Sequence, residues 1–329
     1  MYIPTSPLNR RHLLRATGAG LAVTLFPQLA TAQTDVYPAR PIELIVPSSA
    51  GGGTDVMARA FSEAMRKHLA QPLLVINRPG ASGAIGMQEV LNAKADGYKV
   101  CVVFAELAIL PHLGQVKFTA DDFTLIARLN ADPSAMTVKV DAPWKTIEEF
   151  LAAGKKAPVP LQVGNAGVGS IWHLAAAALE ERAQVKFNHI PFQGAAPAIQ
   201  ALLGGHIDAV SVSPGEVSAH VAGGKFRTLA VMADQRFRGF DAVPTLKERG
   251  IDLSIGTWRG LALPKATPAN VVSVLTAATK AAAADPQFVE TLGRLNLGFS
   301  FADADTFRAA IQRDNAFFKQ LITKLDLKT

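Results

Sequence analysis

A glycine-rich segment carries the residue types and spacing in this chain that best suit the binding of an anion. Residues 47–55 read Pro-Ser-Ser-Ala-Gly-Gly-Gly-Thr-Asp, after the strand-like apolar run 42–46 and before the helix-like run 56–69. The first N–H groups of a helix lack partners within the helix, and the helix dipole adds partial positive charge there. Because small residues also let a ligand approach the backbone, the segment predicts a site for an anion, most naturally a carboxylate.

The same segment matches neither of two common phosphate-binding motifs. A P-loop requires Lys and then Ser or Thr after its last glycine, whereas Gly53 is followed by Thr54 and Asp55. The dinucleotide fingerprint requires a third glycine where this chain has Val56. Taken alone, a run of glycines also fits a flexible connector that binds no ligand. The choice between an anion site and a connector therefore depends on other segments of the chain.

Three further turns rich in glycine and small residues follow predicted strands. They lie at residues 77–86, 164–170 and 191–197, and each precedes a helix-like stretch. Four such turns predict a cleft lined by backbone N–H donors.

The strands and helices that would position these turns alternate along the chain. Predicted strands are 42–46, 73–77, 99–104, 124–130, 135–139, 161–165, 186–190, 209–213 and 227–232. Predicted helices include 56–69, 170–183, 195–203, 268–284 and 304–325. Alternation of this kind is typical of α/β folds with parallel strands. So many strands favour two α/β domains, with the ligand beyond the carboxyl ends of the strands.

The N-terminal 32 residues are typical of an export signal. Arg10 and Arg11 form a twin-arginine pattern, an apolar stretch follows, and Ala30-Thr31-Ala32 matches a small-residue cleavage site. The twin-arginine route and the general secretory route both lead to the periplasm, so we expect a periplasmic protein cleaved near Ala32.

The net charge and the cysteine content argue against a nucleic-acid-binding protein and against a fold held by intramolecular disulfides. The net charge of +6 includes Arg10, Arg11 and Arg15, so the mature chain carries 6 − 3 = +3, which gives no support for nucleic-acid binding. Cys101 is the only cysteine and lies in an apolar run, so we expect a buried thiol and no intramolecular disulfide.

Several motifs together resemble the Bug family, the periplasmic solute-binding receptors of tripartite tricarboxylate transporters. The matching segments are Tyr-Pro-Ala-Arg-Pro-Ile at 37–42, Gly-Gly-Gly-Thr-Asp at 51–55, Asn-Arg-Pro-Gly-Ala at 77–81, Asp-Gly-Tyr at 96–98, Gly-Gly-His-Ile-Asp at 204–208, Gly-Gly-Lys-Phe-Arg-Thr-Leu-Ala-Val at 223–231 and Val-Pro-Thr at 243–245. They follow the family's order over essentially the whole mature chain.

The resemblance implies an α/β, two-domain fold of the periplasmic-binding-protein type (type II), with a central ligand cleft and a hinge. It places residues 37–125 and 259–329 in domain 1 and residues 126–258 in domain 2. It implies a small carboxylate as ligand and membrane transporter subunits as partners. No metal, organic cofactor or nucleic acid is implied, and we expect a monomer. A sensor that presents its closed form to a signalling partner is the alternative function.

The resemblance also implies which loops reach the ligand, through backbone amides, hydroxyl groups and ordered waters. The predicted ligand-binding residues are Ser48, Ser49, Ala50, Gly51, Gly52, Asp55, Glu106, Asn165, Gly169, Ser170, Ile171, His173, Gln193, Gly194, Ala195, Ser213, Trp258 and Arg259.

The chain departs from the family pattern within this predicted pocket. Glu106 stands where the family usually has a Ser/Thr-rich stretch, Trp172 replaces a small residue, and Arg259 replaces an aromatic residue after Trp258. We expect Glu106 and Arg259 to favour an aromatic or amino-bearing carboxylate over citrate. The alternative is that Glu106 faces solvent and Trp172 packs in the core.

Signals for an enzyme are missing from the sequence. No Gly-x-Ser-x-Gly elbow and no His-Glu-x-x-His motif occurs, so we expect neither a catalytic residue nor a zinc site. Ser170 and His173 are three residues apart, on one face of a helix, which fits a capping serine with a buried histidine.

Overall fold

The computed structural model describes residues 37–327, so the predicted export signal lies outside the described residues. Within them the strands are β1 (Ile42–Val46), β2 (Leu73–Asn77), β3 (Lys99–Phe104), β4 (Phe123–Lys139), β5 (Leu161–Asn165), β6 (Phe187–Pro191), β7 (Ala209–Val212), β8 (Phe226–Met232), β9 (Gly256–Pro264) and β10 (Phe299–Asp303). The helices are α1 (Gly53–Met65), α2 (Ala84–Leu91), α3 (Ile147–Lys156), α4 (Ile171–Ala183), α5 (Ala195–Leu203), α6 (Pro214–Ala222), α7 (Ala269–Ala283), α8 (Pro286–Arg294) and α9 (Ala304–Lys324).

The strands form a mixed sheet that β4 divides into two halves. The order is β2-β1-β3-β9-β4-β7-β5-β6, and β8 and β10 also pair with β4. We call the part with β1, β2, β3, β9 and β10 the first sheet half and the part with β5 to β8 the second sheet half. Residues 123–133 of β4 pair with β9 in the first half, and residues 134–139 pair with β7 and β8 in the second.

Parallel pairing within each half directs the strand ends toward the same region. β1 pairs in parallel with β2 and β3, and β5 pairs in parallel with β6 and β7. Helices α1, α4, α5 and α6 directly follow β1, β5, β6 and β7. Their N-termini therefore lie at the carboxyl ends of strands, where α/β folds bind ligands.

Most predicted elements are confirmed, and β4 is the main correction. Residues 124–130 and 135–139 were expected as two separate strands. In the structure they belong to one 17-residue strand. Gly256 pairs with Pro133 on the neighbouring β9, and a side chain at Gly256 would collide with the backbone at Asp132 and Pro133. The absence of a side chain there lets the two strands pass closely.

Two strands, β9 and β10, were missing from the expectation, and some helix bounds were shifted. The first helix begins at Gly53 rather than at Val56, so it starts inside the glycine-rich segment. The expected domain boundaries at residues 125/126 and 258/259 fall inside β4 and β9.

Two hydrophobic cores hold the layers together. One lies between the first sheet half and helices α1, α7 and α8, where the Phe61 and Phe288 rings meet edge to face at 5.9 Å between centroids. The larger core covers the opposite face and the second half, and it includes Trp172 and Cys101. Each fully buried large apolar side chain contributes about 1.5–3 kcal/mol. No helix among residues 37–327 has the length and apolar character needed to cross a membrane.

Candidate functional site

A small, partly open cavity lies where the strand ends of the two sheet halves meet. It offers about 50 Å³ to water-sized molecules, and its wall includes residues from both halves. A space of this size holds a few waters, since about 10–15 Å³ suffices for one. The predicted residues that line it are Ser48, Glu106, Ile171, Gln193, Gly194, Ala195 and Arg259.

Arg259, in the middle of β9, is the positive charge of the cavity wall. Its side chain is 2% exposed, and its Nη1 lies 2.5 Å from Asp132 Oδ2 and 2.6 Å from Asn130 Oδ1. Its Nε donates to Thr54 Oγ1 at 2.9 Å. A buried guanidinium needs this degree of pairing to offset its desolvation. Arg259 therefore joins β9, β4 and α1 through its Nε and Nη1, whereas its Nη2 makes no hydrogen bond among the described residues and lies 3.7 Å from Glu216 Oε1.

Glu216, on α6, brings a carboxylate from the second half to the N-terminus of α1. Its Oε1 accepts the Gly53 N–H at 2.9 Å and lies 3.7 Å from Arg259 Nη2. Its Oε2 accepts the N–H and the hydroxyl of Ser213, both at 3.0 Å. The sequence had suggested this helix terminus as an anion site, and the anion there in the structure is the chain's own side chain. Glu216 was not among the predicted site residues.

Asp55 fixes the glycine-rich loop from inside. Its Oδ2 accepts the Gly51 N–H at 2.9 Å and Arg59 Nε at 3.0 Å, and its Oδ1 accepts Asn77 Nδ2 at 3.0 Å. Burial alone would raise the pKa of Asp55, but these bonds and the charge of Arg59 hold it below its usual value. Asp55 holds the loop as an ionised carboxylate and does not line the cavity. The loop residues Ser49, Ala50, Gly51 and Gly52 also lie outside the lining.

Glu106 reaches from the turn after β3 to the N-terminus of α4 in the second half. Its Oε1 accepts the Ile171 N–H at 2.9 Å, and its Oε2 is buried without a hydrogen-bond partner among residues 37–327. The residue is 4% exposed and lines the cavity, so the alternative that it faces solvent is wrong. Burial raises the pKa of Glu106 to about 7, although the Ile171 N–H and Arg259 favour its charged form.

The start of α4 shows how Ser170 and His173 are used. Ser170 Oγ accepts the His173 N–H at 3.2 Å and so caps the helix. Desolvation lowers the pKa of His173 to about 4, and its Nδ1 accepts the Gly169 N–H at 3.2 Å. His173 is thus a neutral acceptor in the wall behind the cavity. Asn165 is buried nearby, with its Oδ1 on the Gly167 N–H.

The remaining predicted residues support the wall from behind. Ser213 precedes α6 and donates to Glu216, and Trp258 points away from the cavity, where its Nε1 donates to Asp314 Oδ2 at 2.6 Å. The cavity lining also contains residues outside the predicted set: Pro47, Thr54, Pro79, Gly80, Ser82, Gly83, Phe104, Ala166, Trp172, Glu216 and Thr257. Of these, Trp172 was expected within the pocket as a departure from the family pattern, and both Phe104 and Trp172 also belong to the core.

The N-terminus of α5, like that of α2, meets the cavity without a side-chain cap, whereas Glu216 and Glu106 occupy the N-termini of α1 and α4. Gly194 precedes the helix without a side-chain cap, and Gln193, Gly194 and Ala195 line the cavity. Ser49 Oγ lies close to Gly194 and is buried without a partner. The arrangement offers a ligand backbone N–H groups, the Nη2 of Arg259 and one carboxylate oxygen without a partner, Oε2 of Glu106. No group of three or more His, Cys, Asp or Glu in residues 37–327 is placed to hold a metal ion.

The contact between Gly53, Arg259 and Glu216 gives a first prediction. A Cβ at Gly53 would lie 2.8 Å from Arg259 Nη2 and 2.9 Å from Glu216 Oε1, whereas at Gly52 its nearest neighbour would lie at 3.6 Å. Gly53→Ala should therefore destabilise the protein by about 1–3 kcal/mol, the usual cost of overpacking. Gly52→Ala, the matched control, should change the free energy of unfolding by less than about 1 kcal/mol. Urea unfolding measures both, and equal effects would contradict the geometry.

The burial of Glu106 predicts a pH dependence of stability. Its pKa is raised from 4.5 to about 7 in the folded protein, so between these values the folded state binds more protons than the unfolded state. The contribution of Glu106 to stability is therefore lost as pH rises through this window. Glu106→Gln keeps the acceptor for Ile171 without the charge, so its stability advantage over the unsubstituted protein should grow from pH 5 to pH 8. Parallel pH profiles in urea unfolding would contradict this assignment.

Comparisons with known proteins agree with this architecture. The chain is 32% identical over 324 residues to a UPF0065 protein of Cupriavidus necator, covering 97% of this chain and 99% of that protein. It is 57% identical to a TctC solute-binding protein from Polaromonas solved with no ligand, over 88% of this chain and 99% of that one, with a TM-score of 0.66. MatC from Rhodopseudomonas palustris with bound malate is 26% identical over 87% of this chain and 100% of its own, with a TM-score of 0.81.

These relatives share the α/β fold of periplasmic binding proteins, which was expected from the sequence and is confirmed. The related proteins are solute-binding receptors rather than enzymes. Residues 57–327 match the family described as the tripartite tricarboxylate transporter family receptor. The match covers more than half of the chain, and the chain belongs to this receptor family.

Proposed function

We propose that this chain is a periplasmic receptor that captures a small carboxylate in the cavity between its sheet halves and delivers it to the membrane subunits of a tripartite-type transporter. The observation that carries the proposal is the uncapped N-terminus of α5 in the wall of the same cavity as Glu106, whose Oε2 is buried without a partner among the described residues. Export with cleavage near Ala32, and a monomeric state, belong to the same proposal.

The two sheet halves move as two domains in this proposal. The cavity offers only about 50 Å³ to water-sized molecules, which is too little for a carboxylate with several carbon atoms, so the halves separate to admit one. The hydrogen bond from Ser82 Oγ to the Val168 carbonyl, at 2.6 Å, joins loops that follow β2 and β5 and would break on opening. The higher TM-score with malate-bound MatC than with the more similar Polaromonas protein, which has no ligand, supports a closed arrangement here.

The ligand in this proposal bears an N–H group, such as an ammonium, in addition to its carboxylate. Asp132 and Glu216 already outnumber Arg259, and Glu106 adds a third acidic group close to the cavity. A buried site with an excess of carboxylates is better balanced by a ligand that brings a positive charge. The free Glu106 Oε2 is the acceptor for that group, while Trp172 and Phe104 give the cavity apolar surface.

Thermal-shift measurements on the exported protein test the receptor function. The panel contains amino acids, aromatic monoacids, dicarboxylates and tricarboxylates, applied after unfolding and refolding to remove any trapped ligand. A ligand at a hundred times its Kd adds about 2.7 kcal/mol to the stability, which raises the Tm visibly. We expect a hit among carboxylates that carry an N–H group. A panel without any stabilising carboxylate would contradict the receptor function.

Glu106→Gln tests the preference for an N–H group. The preference is the Kd of a deamino analogue divided by the Kd of the best amino-bearing ligand. In the variant this ratio should fall by about tenfold or more, the scale of one hydrogen bond to a charged group. Glu89→Gln, which alters a surface ion pair of Arg78 and Lys99, is the matched control and should leave the ratio unchanged. Calorimetry measures the constants, and an unchanged ratio in Glu106→Gln would overturn this assignment.

A further inference from the structure

Glu216 occupies a position that suits a ligand carboxylate. Its side chain is 3% exposed, and one of its oxygens accepts the Gly53 N–H at the start of α1 while lying 3.7 Å from Arg259 Nη2. A helix N-terminus and a guanidinium are the two groups that most favour a carboxylate in proteins. The site is therefore a complete anion site that already contains its anion.

The carboxylate reaches this position across the cavity. Glu216 belongs to α6 and the second sheet half, whereas Gly53 and Arg259 belong to α1 and β9 in the first half. Ser213, just before α6, fixes the other oxygen through its N–H and its hydroxyl. The bonds from Ser213 orient Glu216 toward the first half, and Glu216 itself lines the cavity.

A second carboxylate has no comparable place beside Glu216. An anion near Gly53 would face Glu216 and Asp132, whose two negative charges already exceed the one positive charge of Arg259 beside them. Like charges at such distances in a buried site repel strongly. A Cβ at Gly53 would also collide with Glu216 Oε1, which shows how closely the carboxylate lies against this backbone.

We propose that Glu216 is a specificity-determining residue: it fills the anion position at the N-terminus of α1 and thereby restricts the ligand to a single carboxylate. The inference rests on the proposed function and names the substrate class of the same cavity. Dicarboxylates are disfavoured by the internal carboxylate, whereas a monocarboxylate with a neutral or positive second group is accepted.

Rescue by acetate tests whether Glu216 fills an anion site. Glu216→Ala should melt at a lower temperature, and acetate should raise its Tm in a saturable manner, with a half-saturating concentration at least about tenfold lower than in the unsubstituted protein. Chloride at equal ionic strength should not reproduce the effect. Glu89→Ala, which removes a carboxylate from surface ion pairs, should show no rescue. Equal acetate responses in Glu216→Ala and the unsubstituted protein would overturn the proposal.

A pair of ligands of nearly equal shape tests the specificity. Succinate has two carboxylates, and succinamate replaces one of them with a neutral amide. The unsubstituted protein should bind succinamate at least about tenfold more tightly than succinate, and Glu216→Gln, which keeps the shape of the side chain, should reduce this ratio by about tenfold. If succinate binds the unsubstituted protein as tightly as succinamate, or if the ratio survives in Glu216→Gln, the proposal fails.

The two tests separate this inference from the receptor function. The acetate rescue requires no natural ligand, so it can succeed although no carboxylate in the panel stabilises the unsubstituted protein. Conversely, the unsubstituted protein can bind a carboxylate tightly although acetate does not rescue Glu216→Ala. That result would support the receptor function and contradict the role of Glu216 in specificity. If Glu216→Ala does not fold, the succinate and succinamate measurements on Glu216→Gln decide.

Discussion

The guanidinium of Arg259 lies inside the sheet, and the carboxylate of Asp132 and the amide of Asn130 hold it there from the neighbouring strand. Removing Asp132 would take away the carboxylate that is hydrogen-bonded to this buried guanidinium, and breaking a buried pair in this way costs more than the intact pair contributes. This constraint places Thr54 and Glu216 as well, because both contact the same guanidinium. The start of α1, the middle of β4 and the start of α6 are thereby positioned around one fixed charge.

Each sheet half extends a carboxylate to a helix N-terminus of the other half. Glu106 goes from the first half to α4, and Glu216 goes from the second half to α1. Such caps satisfy N–H groups that would otherwise face the cavity. They also set the chemistry available to a ligand, since the N-termini of α1 and α4 are occupied, whereas that of α5 has no side-chain cap.

Much of the fold was predictable, because the apolar runs and glycine-rich turns alternate regularly along the chain. Strands β1, β2, β3 and β5 lie at the predicted positions.

The predictions failed where a tertiary contact overrides a local signal. Asp132 and Pro133 are residue types common in turns, but in the structure they lie within a strand, beside Arg259 and Gly256. Strand β9 was missed because Arg259, near its centre, is polar. The loops at the cavity were recognised from small residues, but Glu216 was not, since its partner Gly53 is 163 positions away. A sequence pattern cannot report a pairing at that separation.

The long strand β4 also affects the order in which the molecule can be assembled. Its first part pairs with β9, whose residues 256–264 come more than a hundred positions later, and its second part pairs with β7 and β8. Contacts between distant parts of a chain form slowly, because the chain loses conformational entropy on loop closure before the strand pairing can stabilise it. The first sheet half therefore remains without its central strand until most of the chain has been synthesised. Until β9 is added, β3 and β4 lack their shared neighbour, and unpaired strand edges of this kind are prone to associate with other chains.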